Sequence, residues 1–552
     1  MATNSKSQCK PGAKDNTPKK GNNWSPKGNK GGRNRRRNNK RDNVRPEAMY
    51  DQNGPEQTAN DPAWYTNGPG GAVPFNLDFH DRVGGPYYFD LEENNGIFAV
   101  DPDVPSIPGI MSLNFLPHYG EMGVVDDPLN LATQEMVTAL RYAKSYSSTY
   151  TASWLGKYLI MADQVSMIHA MNLRIAGMMN WFSTVNQYYP EAVYTAMGLT
   201  HNSFSGANRD RFIGWANQFA KKAELFKVPN LNVYDRHRFL CENIFSDAVG
   251  VQSQLFVFRP QCLYIYRVTD TNSYLELTQC PWTTGTTVSL DQYVTYCNQI
   301  INSMVFDTDM TIVAADMLRY YGDSQLRHFE MMTYDYESQP VFNPVVCTQI
   351  HNMTIAPLYS STRYPNSTPS NGWNIETNPN TGMLLSRPMI DVTDEPNAFN
   401  LFMTQVLDSQ DGSVSPDFVA EATRLKCMVM PITATNKTQF KLIAGTEIVT
   451  EARVYWYRYV GTSRNLGQIV LNVNNAQTWG LYAAKFANAP IVPIVNTVDI
   501  EGVKKVTLLG WVGDFNLLTY VTRRMLSQMF ETSAFSIYKV PALVNIKAVV
   551  PK

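Results

Sequence analysis

Long apolar runs are absent from this sequence of 552 residues. No window of about 18 residues is both apolar and uncharged, and the amino terminus lacks the apolar core of a signal peptide. Cysteine is scarce: the seven residues lie far apart, form no CxxC pair and are odd in number. Such spacing argues against a disulfide framework and against a zinc module. We therefore expect a protein that is made and kept in a reducing, soluble compartment.

The common catalytic and nucleotide-binding motifs are also missing. The chain has no P-loop, no GxSxG elbow and no HExxH pair, so no motif marks a nucleophile, a phosphate cradle or a metal site. The seven histidines are scattered, and we expect each to be an ordinary surface or core residue. His169, within the most apolar stretch, is the best candidate for burial. The sequence thus predicts no enzyme, no catalytic residue, no metal and no cofactor.

A cluster of carboxylates offers the strongest argument for an enzyme. It comprises Asp307, Asp309, Asp316 and the Tyr321-Gly322-Asp323-Ser324 turn. Polymerases hold two Mg²⁺ ions with aspartates and a Gly-Asp turn, but theirs come from strands separated by a long segment, and their turn has a second Asp where this chain has Ser324. A helix that begins near Thr311 and ends at Gly322 explains the same residues. A metal-dependent enzyme is therefore the third and least favoured function.

Positive charge is concentrated in residues 1–45, which carry a net charge of +12 against only Asp15 and Asp42. The basic residues, which we predict to bind RNA, are Lys6, Lys10, Lys14, Lys19, Lys20, Lys27, Lys30, Arg33, Arg35, Arg36, Arg37, Lys40, Arg41 and Arg45. Most of the other residues are Asn, Gly, Ser, Pro or Thr, which bury too little apolar area to offset the entropy of ordering. We expect a disordered basic arm that binds phosphates by charge, without reading sequence. The alternative is a solvated tail that only keeps the protein soluble.

Residues 46–127 reverse the sign of the charge. They carry a net charge of −13, because Arg82 is the only basic residue beside 14 acidic ones. The segment is dense in Pro and Gly but also rich in aromatic residues, which disordered segments lack. We expect an ordered, irregular acidic strap laid over a folded surface, either of its own subunit or of a neighbouring one. Its carboxylates are also expected to compete with nucleic acid for the arm.

Regular periodicity begins after the strap. Helices are predicted from Pro128 to about Tyr146, over the apolar stretch 151–185 and from Asn208 onward. From about residue 250, the β-branched and aromatic runs at 255–268 and 444–460 predict strands. Between them we predict helices near 290–304, 311–321 and 416–426, the last with Ser415 as its cap. Residues 506–511 are predicted to form a strand and residues 514–530 an amphipathic helix that packs back against the first helices.

These elements predict an α+β fold with more than one domain after the arm. A predominantly α-helical domain comprises residues 128–245 plus 480–552 and is discontinuous in sequence. A more β-containing domain, residues 246–479, projects from it. An arm, a strap and two domains without catalytic motifs are typical of a coat protein, whose charge neutralises a packaged genome and whose apolar surfaces form contacts between subunits.

The basic start KGNKGGRNRRRNNKR and the helical stretch WLGKYLIMADQVSMIHAMNLRIAGMMNW, together with the length, resemble picobirnavirus capsid proteins, those of human picobirnaviruses in particular. The resemblance covers the whole chain and rests on overall texture, since this family has no short diagnostic motif. It implies symmetric dimers that assemble in the host cytoplasm into an icosahedral shell around segmented double-stranded RNA. It also implies a helical shell domain, a projecting domain and segments exchanged between paired subunits.

The partners expected from the sequence are copies of the chain itself and RNA, and the identity of any host receptor or membrane stays open. A capsid protein of the virion is the favoured function. A non-assembling RNA-binding protein is the alternative, and it would elute as a monomer or small oligomer rather than as closed particles.

Overall fold

The computed structural model describes residues 109–543, with gaps at residue 121 and at residues 145–149, 186–189, 250–252, 271, 357–372, 387–388, 392–404, 410–413, 432–438, 461–462, 472–475, 484–485 and 501–502. The predicted arm, residues 1–45, and residues 46–108 of the predicted strap lie outside the described residues. Every described residue belongs to one unit of the chain. The expectations for the arm and for most of the strap therefore stay predictions.

Within the described residues, helices dominate from residue 128 to residue 242. They are α1 (Pro128–Lys144), α2 (Ala152–Val185), α3 (Pro190–Ala196), α4 (His201–Phe204), α5 (Asn208–Ala223) and α6 (Asn232–Glu242). α1, α2 and α5 confirm the helices predicted to begin near residues 128, 151 and 208. Later helices are α7 (Leu290–Val305), α8 (Thr308–Tyr321), α9 (Pro344–His351), α10 (Pro416–Ala422), α11 (Ala476–Ala483) and α12 (Arg523–Ile537). The Ser415 cap of α10 is confirmed, because its hydroxyl accepts the Phe418 N–H at 3.1 Å.

Strands are frequent after residue 245, as predicted. They are β1 (Ile110–Pro117), β2 (Phe245–Ser246), β3 (Leu255–Pro260), β4 (Cys262–Val268), β5 (Ser273–Gln279), β6 (Val341–Phe342), β7 (Glu376–Thr377), β8 (Leu384–Leu385), β9 (Met389–Asp391), β10 (Val406–Asp408), β11 (Cys427–Pro431), β12 (Gln439–Ala444), β13 (Glu447–Val460), β14 (Ser463–Val470), β15 (Val492–Ile500), β16 (Val503–Val512) and β17 (Leu518–Tyr520). The run predicted at 255–268 is divided into β3 and β4 at Gln261. The runs predicted at 444–460 and 506–511 lie largely in β13 and in β16.

The 34 residues of α2 form the centre of the helical part. The helix is apolar nearly all round, and α1, α5, α6, α7 and β4 pack against it. Burial on every side explains why its sequence shows no polar face. Polar side chains that lie within it, such as Asp163 and Lys157, are consequently buried too.

The largest sheet that the described residues form has six strands in the order β14-β13-β1-β3-β2-β6. β1 lies in its middle, antiparallel to β13 with Ile110 opposite Tyr455, and parallel to β3 with Ile110 opposite Leu255. All eight residues of β1 are buried. The end of the predicted strap thus differs from the irregular conformation expected for it, because these residues complete a sheet with strands far away in the sequence.

The carboxy-terminal helix begins later than predicted. Residues 518–520 form β17 and pair with β10, and the helix starts at Arg523, where the Thr522 hydroxyl accepts the Met525 N–H. The predicted helix over 514–530 was therefore wrong in its first two turns. The prediction that this segment packs back against the first helices is confirmed, since α12 contacts α1 and α6.

One hydrophobic cluster forms most of the core and includes residues from both predicted domains. A smaller cluster lies beneath α12 and comprises Leu407, Ala422, Met428, Val521, Leu526 and Phe530. The mixture of helix and strand confirms the α+β fold class. The division at residues 245 and 246 stays a prediction, because the large core continues across it. Within the described part of the chain, no helix is long and apolar enough to cross a membrane.

Candidate functional site

The predicted RNA-binding residues, from Lys6 to Arg45, all lie outside the described residues. The structure therefore does not locate the nucleic-acid interface. The described residues instead show where charge is buried and where apolar side chains are exposed. These two features indicate which residues hold the subunit together and which are available for contacts.

A buried ionic network (Tyr119, Asp163, His237, Arg236, Arg424 and Glu447) begins in the middle of α2. The Asp163 carboxylate is fully buried and accepts hydrogen bonds from the Tyr119 hydroxyl and from His237 Nδ1, both at 2.5 Å. A carboxylate inside an apolar helix needs such partners, because burying an unpaired charge is costly. Burial and the adjacent Asp163 carboxylate raise the pKa of Tyr119 well above its ordinary value, so the phenol stays a donor.

His237, on α6, lies between two buried carboxylates. Its Nε2 atom is 3.2 Å from the Thr446 carbonyl oxygen and 3.7 Å from Glu447 Oε1. Burial lowers the pKa of His237, but the Asp163 and Glu447 carboxylates outweigh burial and raise it above its ordinary value. Both ring nitrogens therefore face acceptors that favour the imidazolium form.

Glu447, the first residue of β13, carries the second buried negative charge. Its Oε1 atom is 3.1 Å from Arg236 Nε, and it accepts the Thr446 hydroxyl at 2.7 Å. Burial raises the pKa of Glu447, but Arg236, Arg424 and His237 outweigh it and lower the pKa to about 2. The carboxylate is thus ionised at neutral pH, and the network joins α2, α6 and the start of β13.

The network combines a histidine with two carboxylates, as many acid-base sites do, but its side chains are not exposed. Among the described residues, Asp163, His237 and Glu447 are fully buried, so their side chains face other groups of the fold rather than solvent. Sequence reasoning missed this network because Asp163 and His237 are 74 residues apart and no motif links them to Glu447. The one available signal was the presence of Asp163 in the most apolar stretch of the chain.

A second buried histidine joins the carboxy-terminal elements. His351, at the end of α9, has Nε2 at 2.8 Å from Asp408 Oδ2 and Nδ1 at 2.9 Å from the Ala489 carbonyl oxygen. The Asp408 carboxylate also accepts the Leu517 N–H at 2.7 Å. This cluster thus fixes β10 and the segments before β15 and β17 around one buried side chain.

His169 confirms its prediction as a buried histidine. It is 1% exposed, and its Nε2 atom is 2.9 Å from the Glu330 carbonyl oxygen. His237 and His351 are equally buried, which the sequence did not indicate.

The carboxylates that suggested a polymerase have structural partners. Asp307 caps α8 by accepting the Asp309 N–H at 2.9 Å and also accepts the Tyr266 hydroxyl at 3.0 Å. Asp316 accepts the Tyr150 hydroxyl at 3.0 Å. The predicted helix is confirmed, although it starts at Thr308; it ends at Tyr321 and is followed by Gly322, which has a φ of +77°. Within the described residues, no group of three or more potential ligands could hold a metal ion.

A polar cleft of about 330 Å³ lies beside β13 and β14. Arg259 and Arg453 line it, but both are already paired with groups of the fold. Arg259 donates to the Asn114 side chain and to the Ala196 and Trp282 carbonyl oxygens, and Arg453 Nη2 lies 3.0 Å from Glu451. The two arginines therefore connect strands and loops of the fold and do not form an anion-binding site.

The carboxy-terminal part of the chain exposes a series of large apolar side chains. They are Leu509, Phe515, Leu517, Leu518, Tyr520, Met525 and Phe535. These residues lie within 27 positions of the chain, in β16, in β17 and the loop before it, and in α12. We call residues 515–535 with their exposed side chains the carboxy-terminal surface.

Three comparisons with known proteins agree with one another. A family model described as picobirnavirus capsid protein matches residues 64–538. The capsid protein precursor of human picobirnavirus, strain Human/Thailand/Hy005102, is 23% identical over 532 residues, which cover 88% of this chain and 92% of the relative. The crystal structure of a picobirnavirus capsid superposes with a TM-score of 0.68 at 18% identity and covers 89% of this chain and 100% of the solved one.

Proposed function

Because the chain belongs to the picobirnavirus capsid protein family, we propose that its copies pair into dimers and assemble into a closed icosahedral shell around a segmented double-stranded RNA genome. The family match over residues 64–538 carries this proposal. The exposed apolar side chains of the carboxy-terminal surface support it, since a shell subunit needs contact surfaces that a monomer does not. The protein is then a component of the virion, assembled in the host cytoplasm.

The basic arm is the proposed RNA-binding segment. Its net charge of +12 attracts any polyanion, and its composition offers no means of reading bases. The adjoining strap carries −13, so part of the attraction to RNA is offset within the same chain. Binding that is sequence-independent and easily reversed suits a tether that must hold many different parts of a genome.

The subunit is proposed to have a shell domain of residues 128–245 plus 480–552 and a projecting domain of residues 246–479. The return of α12 to α1 and α6 supports the discontinuous shell domain. Residues 46–127 form the strap, which is proposed to exchange between paired subunits. The role is structural rather than enzymatic, in keeping with an ionic network whose histidine and carboxylates are buried.

Electron microscopy of the purified full-length protein tests the proposal directly. Closed particles of uniform diameter are expected, and elution as a monomer or small oligomer at every concentration would identify a non-assembling RNA-binding protein instead. The arm is tested by deleting residues 1–45 and by a length-matched variant with all 14 basic residues changed to Gln. Both are expected to form shells with less RNA, measured as the ratio of absorbance at 260 and 280 nm. Unchanged RNA content in the Gln variant would contradict the packaging role.

A further inference from the structure

The helix α12 buries one face and exposes the opposite one. Leu526, Phe530 and Ile537 are buried and face the smaller core and the neighbouring helices. At 100° per residue, the face opposite these side chains is centred on Gln528, which is exposed. This outer face has no partner within the described residues.

Two unpaired charges lie on that outer face. Arg524 and Glu531 are exposed and seven positions apart, so they lie on one stripe, two turns from each other. Neither side chain forms a hydrogen bond or an ion pair within the described part of the chain. If two copies of this helix pack antiparallel, the positive end of the stripe on one copy lies next to the negative end of the stripe on the other.

Apolar side chains flank the charges at both ends. Tyr520, just before the helix, is 65% exposed, and Phe535, in its last turn, is 43% exposed. Met525, beside Arg524, is 53% exposed. If two copies of α12 run antiparallel with Gln528 at the centre, position 535 of one falls opposite position 521 of the other. Phe535 then lies near the segment that precedes the partner helix and contains Tyr520 of the partner subunit, and Arg524 lies beside Glu531 of the partner subunit.

We propose that the outer face of α12 pairs with the same face of a second copy of this chain across a two-fold axis near Gln528. The inference rests on the proposed assembly into a shell and assigns one contact surface to it. Under two-fold symmetry every contact occurs twice, so one Arg and one Glu per chain give two ion pairs. This self-complementarity selects a second copy over an unrelated partner, which would need a matching pattern of its own.

The edge of β17 extends the surface beyond the helix. In the described residues β17 pairs only with β10, and it exposes Leu518 and Tyr520. Exposed strand edges with apolar side chains are usually covered in native assemblies. Pairing through α12 would bring the last turn of the partner helix over this edge and cover it.

Charge reversal in the full-length protein tests the pairing. Arg524→Glu and Glu531→Arg each place like charges together twice, and each is expected to raise the protein concentration needed for particle formation by about tenfold or more. The double variant Arg524→Glu/Glu531→Arg restores opposite charges and is expected to assemble within about threefold of the unchanged protein. Glu421→Arg, at an exposed position on α10, is the matched control and is expected to assemble normally. Light scattering and electron microscopy measure assembly, and circular dichroism checks that each variant is folded.

The outcomes separate this inference from the proposed function. If the unchanged protein forms particles and all three charge variants assemble equally well, the α12 pairing is wrong and the shell function stands. If the double variant stays as impaired as the single ones, the antiparallel arrangement is wrong. If the unchanged protein never assembles, the proposed function itself fails.

A cysteine at the axis provides a second measurement. Gln528→Cys places two thiols next to each other across the proposed axis, so mild oxidation is expected to give a disulfide-linked dimer on a non-reducing gel. Glu421→Cys is the control and is expected to run as an uncross-linked single chain on the same gel. The described cysteines of the chain itself are all buried. Equal cross-linking of the two variants, or none in either, would overturn the pairing.

Discussion

His237 shows how much a single buried side chain can do. Its imidazole lies between Asp163 and Glu447, which belong to α2 and β13, and it is carried by α6. Three elements from distant parts of the chain therefore depend on one proton-carrying ring. Sequence patterns could not predict this role, because a histidine in a helix looks the same whether its neighbours in space are carboxylates or leucines.

Replacing His237 with Gln removes the cation between two buried carboxylates. The free energy of unfolding is expected to fall by about 3 kcal/mol, as is usual when one partner of a buried ion pair is lost. His328→Gln is the control, because the His328 side chain is 44% exposed, and a change below about 0.5 kcal/mol is expected there. Urea denaturation followed by tryptophan fluorescence measures both. Equal effects of the two substitutions would contradict the role of His237.

The same residue predicts a pH dependence. The pKa of His237 is raised in the folded protein, so its contribution to stability is complete below about pH 6.5, the unfolded value, and is lost as the pH rises through the folded pKa. The difference in unfolding free energy between the unchanged protein and His237→Gln is therefore expected to be larger at pH 5.5 than at pH 9. Denaturation at both pH values measures it, and a constant difference would refute the prediction.

Glu447 acts at the acidic end of the range. Its folded pKa of about 2 lies below the unfolded value of about 4.3, so its stabilising effect is complete above about pH 4.3 and is lost as the pH falls towards 2. In the unchanged protein, protonation of Glu447 lowers the stability between pH 5 and pH 3. Glu447→Gln is expected to remove most of this part of the loss. Thermal unfolding at these two pH values measures the effect, and Glu421→Gln, at an exposed position, is the control that is expected to leave the difference unchanged.

At the scale of elements, the start of α12 depends on its cap. The Thr522 hydroxyl accepts the Met525 N–H at 3.2 Å, and Thr522→Ala is expected to cost about 1 kcal/mol and to loosen the first turn. Thr532→Ala, at an exposed position within the same helix, is the control and is expected to be neutral or slightly stabilising. Hydrogen exchange at residues 523–526 measures the difference. Unchanged protection in Thr522→Ala would show that packing alone fixes the helix start.

The turn after α3 depends on a glycine. Gly198 has a φ of +81°, and a Cβ atom there would overlap the Trp282 carbonyl oxygen. Gly206 has a φ of +61° but open space around it. Both alanine substitutions are expected to cost about 1–2 kcal/mol for the backbone conformation, and Gly198→Ala more than that because of the overlap. Thermal unfolding compares them, and equal losses would mean that Trp282 moves aside freely.

Most of the helices could be predicted because their signals are local. The apolar stretch of α2, the cap at Ser415 and the stop at Gly322 each lie within a few residues of the element they define. The start of α12 was misplaced because residues 518–520 carry apolar side chains at spacings that suit either a helix or a strand. Pairing with β10 makes residues 518–520 a strand, and the local sequence does not indicate that contact.

At the scale of the whole molecule, the arm and the strap predict a strong dependence of RNA binding on salt. A peptide of residues 1–45 is expected to lose affinity for double-stranded RNA by a factor of at least about 10³ between 50 and 200 mM salt, if it neutralises six or more phosphates. A peptide of residues 1–108 is expected to bind more weakly at low salt, because its carboxylates compete. Fluorescence anisotropy measures both. Equal affinities would mean that the strap leaves the arm free.

The arrangement of the sheet was beyond the reach of the sequence. The texture of residues 246–479 indicated strands, but it did not indicate that β13 and β3 lie on either side of β1. Pairings between distant strands depend on the assembled core, and the continuity of that core across residue 245 likewise leaves no trace in composition. The carboxy-terminal surface was also missed, because exposure of Tyr520 and Phe535 is decided by packing rather than by residue type.

The central position of β1 in the sheet determines when during translation the sheet can form. Asn114 in β1 and Glu451 in β13 are joined by a side-chain hydrogen bond across 337 positions of the chain. At ribosomal speeds of about 5–20 residues per second, β13 is synthesised roughly 20–70 s after β1, so one edge of β1 has no partner strand during that time. A nascent or truncated chain that ends before β13 therefore keeps one edge of β1 open, and a chain that includes β13 closes it. The sheet can therefore form only after residues 447–460 have been synthesised, late in translation.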